Sequence, residues 1–360
     1  MDTYIRENLI KKLTESIPDI RGKQLWIWGT GDTAQLYQEG LKRLREEFEI
    51  QGYIDNEPSK IGSFYNGKIV IGPEQIPNIN NICILICSIR EAVVREISEQ
   101  LSGFKVEWHL IDEVILKLHA KEVIQCYDIM YDLRAKKVYA DTILWRISGK
   151  KTAIDTDLGN EYFVQPPFNC EDPEGVFIDC GTWWGDTITS YITTVNGVFK
   201  KIIGFEPDKD NFKLLQEQIR KVCNSYKIPT EKIEIFNCGV GERMQRGYFS
   251  RYEKNGGQGS KFITSDTAGQ TNMDIISLDN FIHDKYTFLK ADIESYEYRM
   301  LCGAERGIRE NKPMLTICLY HNAVDLFSLP LLIKKFVPEY KISVYHHAEN
   351  LAGTVMYAWI

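Results

Sequence analysis

Positive charge is in short supply in this chain: 43 lysines and arginines face 50 aspartates and glutamates over 360 residues, a net charge of −7. A polyanion needs a basic face to hold it, so nucleic acid is not expected as the main substrate or partner. Paired cysteines are missing too. The nine cysteines include no CxxC, and several sit inside apolar runs such as Ile82-Cys-Ile-Leu-Ile-Cys87 and Leu315-Thr-Ile-Cys-Leu319. That is the spacing of small buried hydrophobes, not of a zinc or redox centre. No apolar stretch reaches bilayer length, and Met1 to Pro18 mixes Asp2, Arg6, Glu7, Lys11, Lys12 and Glu15 among its apolar residues, unlike a signal peptide. The expectation is a cytoplasmic protein without a membrane span.

At 44% hydrophobic and 26% charged, the composition is that of a globular protein long enough for two domains. Its most informative stretch is Val176-Phe-Ile-Asp-Cys-Gly-Thr-Trp-Trp-Gly-Asp-Thr187, followed by Lys201-Ile-Ile-Gly-Phe-Glu-Pro207. A short apolar run ends in Asp179, passes into a glycine turn at Gly181 and Gly185, and gives way to a second apolar run ending in Glu206. Gly181 lets the backbone approach a ligand without a Cβ in the way, and an acid at the next strand tip can accept both ribose hydroxyl protons. A dinucleotide fingerprint would want a third glycine beside the pyrophosphate, but Asp186 follows Gly185 directly, and a carboxylate there repels phosphate. S-adenosylmethionine carries no phosphate, and its ammonium and sulfonium suit Asp179 and Asp186. The reading moves from dehydrogenase to methyltransferase.

An earlier stretch repeats the device. Lys23 to Trp28 predicts a strand running into Gly29-Thr-Gly31, a helix follows from Gln35 to Phe48, and the strand from Ile50 to Ile54 ends at Asp55. Gly29 to Asp55 spans 26 positions and Gly181 to Glu206 spans 25. Two Rossmann-like units are expected: residues 1–112, then a helical bridge 113–160, then a cofactor-binding domain 161–360. In the last, strands are expected at Gly175–Cys180, Lys201–Glu206, Ile233–Val240, Thr287–Asp292, Met314–Tyr320, Lys341–His346 and Thr354–Ile360. This is the order of a class I methyltransferase α/β sheet, seven-stranded with an antiparallel edge strand. Residues 246–276, glycine-rich at Gly256 to Gly259, read as a hairpin or flap at the rim of the site.

From about residue 160 onward the chain resembles the FkbM family of S-adenosylmethionine-dependent methyltransferases, through FIDCGTWWGDT, GFEPD, ISLDNFI, FLKADIESYE and LYHNAVDLFSLP. The resemblance implies a cofactor held along Thr182, Trp183, Gly185, Asp186 and Thr187, by Glu206 and Pro207, and by Asn237, Gly239 and Val240, where such folds cradle adenine. It also implies that Tyr162 lies over the cofactor. For Trp183 and Trp184, packing of the helix start is preferred to stacking on a ligand. The family usually has glycine where this chain has Ser295. The N-terminal unit, with WGTGDTAQ, GYIDNEPSKIG and IGPEQI, resembles the small Rossmann-like domain of sugar-modifying bacterial proteins.

Methyl transfer to a hydroxyl benefits from a base. His321, directly after the fifth strand, is the first candidate because its unperturbed pKa lies near neutral. Lys290, Asp292 and Glu294, at the end of the fourth strand, are the others, since strand C-termini line the ligand crevice of such sheets. Asp292, His321, His346 and His347 are residue types that could ligate a divalent metal, but no ligand spacing fixes one, and none is expected. The expected acceptor is a hydroxyl of a sugar, glycan precursor or polyhydroxylated metabolite, with the alternative of a nucleotide-sugar-binding or scaffold protein that has lost turnover. Oligomeric state is left open between monomer and homo-oligomer.

Overall fold

The computed structural model describes residues 1–15, 18–159, 161–164, 168, 172–250, 261–263 and 271–360. They fall into two units that alternate along the chain. The first comprises Met1–Thr156, Leu319–Ser328 and Val344–Thr354, and the second Asp157–Cys318, Leu329–Ser343 and Val355–Ile360.

The first unit begins with α1 (Asp2–Thr14), β1 (Gln24–Trp28), α2 (Asp32–Leu36), α3 (Gln38–Glu47), β2 (Ile50–Ile54), β3 (Phe64–Tyr65), β4 (Lys68–Ile71), β5 (Ile82–Ile86), α4 (Glu91–Ser102) and β6 (Glu107–Leu110). Its sheet runs β3-β4-β2-β1-β5-β6. All pairs are parallel except β3 with β4. Every residue of β5 is buried, as the run Ile-Cys-Ile-Leu-Ile requires of a central parallel strand covered on both faces. The helix expected from Gln35 to Phe48 is instead two helices, broken at Tyr37, whose buried hydroxyl donates to Asp112.

Helices α5 (Ile111–Leu118), α6 (Ala120–Ile129) and α7 (Leu133–Ser148) fill the stretch expected as a bridge. They belong to the first unit, which continues to Thr156. Asp132 caps α7 by accepting from the Ala135 N–H at 2.7 Å, and Gly149 ends it at φ +65°. A buried ion explains the attachment. Arg146, on α7 and 1% exposed, pairs with Asp112 at 2.9 Å and donates to the Tyr37 hydroxyl and the Tyr320 carbonyl. Removing one partner of such a pair strands a charge in a low dielectric, so this network fixes α7, and with it Leu319–Ser328, in the unit.

The second unit contributes β7 (Val176–Cys180), α8 (Asp186–Thr194), β8 (Lys201–Phe205), α9 (Lys209–Tyr226), β9 (Ile233–Phe236), β10 (Gly239–Val240), β11 (Gln245–Ser250), β12 (Lys261–Ile263) and β13 (Thr271–Ile276). It continues through α10 (Leu278–Phe281), β14 (Phe288–Ala291), α11 (Glu297–Cys302), α12 (Glu305–Asn311) and β15 (Met314–Cys318), and the chain then adds α13 (Asp325–Phe336), β16 (Lys341–His346) and β17 (Thr354–Trp359), each divided between the two units. All seven expected strands are present, in the order β16-β17-β15-β14-β7-β8-β9. The pairs from β15 to β9 are parallel, and β17 runs antiparallel to β15. The observed fold is therefore a mostly parallel seven-stranded α/β sheet of the methyltransferase type, with a smaller α/β domain before it.

One expected strand is interrupted. The run Ile233 to Val240 stops at Phe236, and Gly239–Val240 pairs with β13 in a separate sheet ordered β10-β13-β11-β12. The side-chain amide of Asn237 donates to the Glu206 and Pro207 carbonyls at 2.9 and 3.1 Å, tying the end of β9 to the loop after β8. β11 pairs antiparallel with β12 and β13, and the glycines from Gly256 to Gly259 lie outside the described residues. No helix among the described residues is long and apolar enough to cross a membrane.

Candidate functional site

The site is built at the C-terminal ends of β7, β8 and β14, where an open parallel sheet offers a crevice. β7 and β14 pair so that Asp179 and Lys290 sit opposite each other. Both side chains are buried. The Lys290 ammonium lies 3.1 Å from the Asp179 carboxylate and donates to the Gly181 carbonyl at 2.8 Å. The ammonium of Lys290 is thus the partner of the buried Asp179 carboxylate, and the buried Thr182 hydroxyl has no hydrogen-bond partner among the described residues. Buried polar atoms left this way are costly and call for a ligand.

Gly181 adopts φ +83°, and a Cβ there would come 2.0 Å from the Asp292 carbonyl oxygen. The turn can thus press against the end of β14 only as glycine. Gly185, at φ +95°, precedes α8, which starts at Asp186 and carries the buried Thr187. Glu206 follows β8 directly. One of its oxygens accepts from the Trp183 N–H at 2.8 Å and the other from the Asp208 N–H at 2.9 Å, which holds the carboxylate rigidly with lone pairs to spare. Asn237 braces the Glu206–Pro207 backbone through its amide, and Gly239 and Val240 are buried beside β13.

Negative charge dominates the electrostatics. Burial pushes Asp179 up to about 6 against the pull of Lys290, with Asp186 and Asp292 adding to the rise. Glu206 is pushed to about 8 by burial, opposed by the two backbone N–H groups. Asp186 is also raised by burial. Glu161 opens to solvent on one side, yet the surrounding protein and Asp292 push it to about 7. Burial works against the charge on Lys290, but Asp179 and Asp292 outweigh it and raise its pKa. Five carboxylates thus share one ammonium.

Tyr162 joins this cluster. Its hydroxyl donates to Asp292 at 3.0 Å, its ring lies 5.1 Å from the Lys290 nitrogen, and its N–H donates to the Tyr357 hydroxyl at 3.0 Å. The sequence reading named Tyr162 but not Glu161 or Tyr357; Glu161 carries no local signal beyond adjacency to Tyr162. Glu294 and Ser295 follow Asp292 with φ +55° and +72°. Ser295 therefore keeps the left-handed backbone that glycine would adopt without strain. Trp184 is 37% exposed and Trp183 half-buried, and the two rings meet edge to face at 6.0 Å.

His321 is buried in Leu319–Ser328 of the first unit. The Tyr320 carbonyl before it accepts from Arg146, and Asn322 after it donates to Asp325 at 2.7 Å and accepts from the Val324 N–H at 2.9 Å. His346 is buried and hydrogen-bonded to the Thr354 hydroxyl at 3.0 Å, and burial drives its pKa to about 4, which keeps it neutral.

The residues present fit S-adenosylmethionine. Asp179 offers a buried carboxylate, met on one side by Lys290, to a cation, Glu206 a braced acceptor to a ribose diol, and the excess of carboxylates would repel a phosphate.

Residues 179–340 match the family model described as Methyltransferase FkbM domain, and residues 22–111 match that described as C2185-like, N-terminal. No curated protein matches the chain. Among solved structures, the crystal structure of methyltransferase FkbM from Methylobacillus flagellatus KT is similar over 99% of this chain and 98% of that one, at 20% identity and a TM-score of 0.59. An rRNA methylase from Streptococcus thermophilus is similar over 52% of this chain and 86% of its own, at 12% identity and a TM-score of 0.30. SMU.1697c from Streptococcus mutans, solved in complex with SAH, is similar over 52% of this chain and 90% of its own, also at 12% identity and 0.30.

Proposed function

We propose that the second unit binds S-adenosylmethionine and that the protein transfers its methyl group to a hydroxyl of a sugar, glycan precursor or polyhydroxylated metabolite. The observation that carries this reading is the fully buried Asp179, set among Asp186, Asp292, Glu161 and Glu206 with the single ammonium of Lys290 as counter-ion at 3.1 Å. The match of residues 179–340 to a methyltransferase domain supports it.

The bound cofactor supplies a methyl group on a sulfonium, whose positive charge disappears as the acceptor oxygen attacks. The chain has to align the groups and manage one proton. Glu206 takes the ribose hydroxyls, and Asp179 takes the ammonium directly or through water. Lys290 keeps Asp179 ionised and fixes the Gly181 carbonyl, while Tyr162 orients Asp292. His321 is proposed to take the acceptor's proton, with Asp292 and Glu294 as the alternatives; Lys290, held protonated by Asp179 and Asp292, cannot take one. The reading of a scaffold without turnover drew on Ser295, and that support weakens because Ser295 retains the glycine-type backbone.

The test is calorimetric titration of the full chain with S-adenosylhomocysteine, followed by transfer of a radiolabelled methyl group to a panel of sugars and glycans. Micromolar binding and label on a hydroxyl are expected. Binding without transfer to any hydroxyl acceptor would overturn the choice of acceptor, and no binding would overturn the cofactor.

A further inference from the structure

The first unit contains a cavity of about 240 Å³ that the methyl-transfer reading does not use. It lies where β1, β2 and β5 end: Trp28 closes β1, Asp55 follows β2 and Cys87 follows β5, and all three line it. In the order β4-β2-β1-β5, β1 is the strand at which the connections turn to opposite sides, the place where open α/β sheets bind ligands.

The chain entering the cavity reads Gly29-Thr-Gly31-Asp-Thr-Ala34, with Asp55 after the next strand. That is a nucleotide fingerprint with alanine at its third small position, and Ala34 is fully buried; Asp32 follows Gly31 as Asp186 follows Gly185, so a phosphate here depends on the cations Lys60 and Arg90 that line this cavity. The two glycines differ in a way that matters. Gly29 is required by the fold, at φ +120° with its absent Cβ 3.0 Å from the Cys87 carbonyl oxygen. Gly31 has an ordinary φ, and a Cβ there would meet nothing within 4 Å. Neither backbone nor packing among the described residues demands glycine at 31; its missing side chain leaves cavity space free.

Asp55 is a prepared acceptor. It accepts from the Thr30 N–H at 3.1 Å, from the Thr30 hydroxyl and from the Glu57 N–H at 3.0 Å, with Lys60 at 3.3 Å. Lys60 and Arg90 also line the cavity, beside the acids Asp55 and Glu96, so the lining carries as many cations as acids, unlike the second unit's site, where several carboxylates surround one ammonium. An acid at a strand tip suits a ribose diol, and the cations beside an open glycine backbone suit a phosphate. The volume falls just below the roughly 300 Å³ at which small-molecule pockets begin, which suits one nucleotide and not two.

We infer that the first unit is a second binding site, for a nucleoside diphosphate, either free or as the leaving portion of an activated sugar. Asp55 holds its ribose hydroxyls, and Lys60 and Arg90 hold its phosphates over Gly31. The inference stands apart from methyl transfer.

The experiment titrates the full chain, saturated with S-adenosylhomocysteine, with ADP, GDP, UDP and CDP, their 2′-deoxy counterparts, and UDP-glucose and GDP-mannose. At least one diphosphate is expected to bind with micromolar affinity, with the deoxy form about 10-fold weaker or worse, as loss of a hydrogen bond to a charged group implies. Gly31→Val is expected to abolish that binding while leaving the circular dichroism spectrum and S-adenosylhomocysteine affinity unchanged. Asp55→Asn is expected to erase the preference for the ribose form. Tighter binding of a sugar nucleotide than of its diphosphate identifies the activated sugar as ligand, and the reverse identifies the free diphosphate. Absence of binding by all of these, equal affinity for ribose and deoxyribose forms, or unchanged binding in folded Gly31→Val would each overturn the inference.

Discussion

Lys290 and Asp179 are a registered cross-strand pair at the centre of the second sheet, their charged atoms 3.1 Å apart and both side chains buried. An ion pair so placed contributes little net stability over an apolar replacement, but it is costly to break from one side. It is therefore best understood as holding Asp179 ready for a ligand.

Breaking the pair from one side should be expensive. Lys290→Met is expected to lower stability by about 3 to 5 kcal/mol, and the double variant with Asp179→Asn to recover most of that loss. Urea unfolding of the three variants and the parent checks it. Additive losses in the double variant would show that the two side chains do not act as a pair.

Glu206 should matter to binding more than to folding. Glu206→Gln keeps an acceptor for one backbone N–H and loses the charge that the ribose hydroxyls meet. A loss of about 1.5 to 3 kcal/mol, roughly 10- to 150-fold in the S-adenosylhomocysteine dissociation constant, is expected. Calorimetry decides, and an unchanged constant removes Glu206 from the site.

The raised carboxylates make a claim about pH. Asp179, Glu161 and Glu206 sit at about 6, 7 and 8 in the folded chain, above ordinary values of 3.8, 4.5 and 4.5. A carboxyl raised on folding binds its proton more tightly in the folded state, so stability falls as pH rises through the window between the two values. His346, depressed to about 4, acts in the opposite sense but only below its ordinary 6.5. Between pH 6.5 and 8 the ligand-free melting temperature should therefore fall. His109, raised by Glu113 and Glu107 despite burial, adds to the fall, so a flatter profile in Glu206→Gln isolates the site's share. Binding a cationic ligand should pull these values down and release protons at pH 7. Titrations in phosphate and Tris, which differ in ionisation heat, should give different heats of binding, and equal heats would contradict the electrostatic account.

Ser295 holds φ +72° without being glycine. Ser295→Gly should relieve about 1 kcal/mol of backbone strain and raise the melting temperature. A lower melting temperature would mean that the serine side chain stabilises more than its backbone costs.

The proton acceptor can be separated from the cofactor site by kinetics. His321→Ala should slow single-turnover methyl transfer by about 10² to 10⁴-fold, with S-adenosylhomocysteine affinity nearly unchanged. A parent-like rate with an unaltered acidic limb would transfer the role to Asp292, Glu294 or a bound metal.

The strand tips and their acids were legible because the signal is local: an apolar run, a glycine turn and a carboxylate fall within 30 residues for Asp179 and Glu206, and again for Asp55. What stayed hidden depends on distant partners. Tyr162 meets Asp292 across 130 positions and Tyr357 across 195, and no periodicity announces either contact. The break after Phe236 rests on one asparagine amide reaching back to two carbonyls. The membership of 113–156 in the first unit rests on Arg146, whose position in the sequence looks like that of any helix-surface cation.

The alternating course of the chain also bears on how the protein is made. When residues 1–156 have left the ribosome, the first unit still lacks Leu319–Ser328 and Val344–Thr354. Arg146 then has Asp112 and Tyr37 but not the Tyr320 carbonyl, and His119 awaits the Phe327 ring that will stack on it at 4.9 Å. Domains ordinarily fold as they emerge, the N-terminal one first. Here the unit that is synthesised first cannot be completed until Val344–Thr354 has emerged, and its uncovered apolar surface has to be kept from neighbouring nascent chains until then.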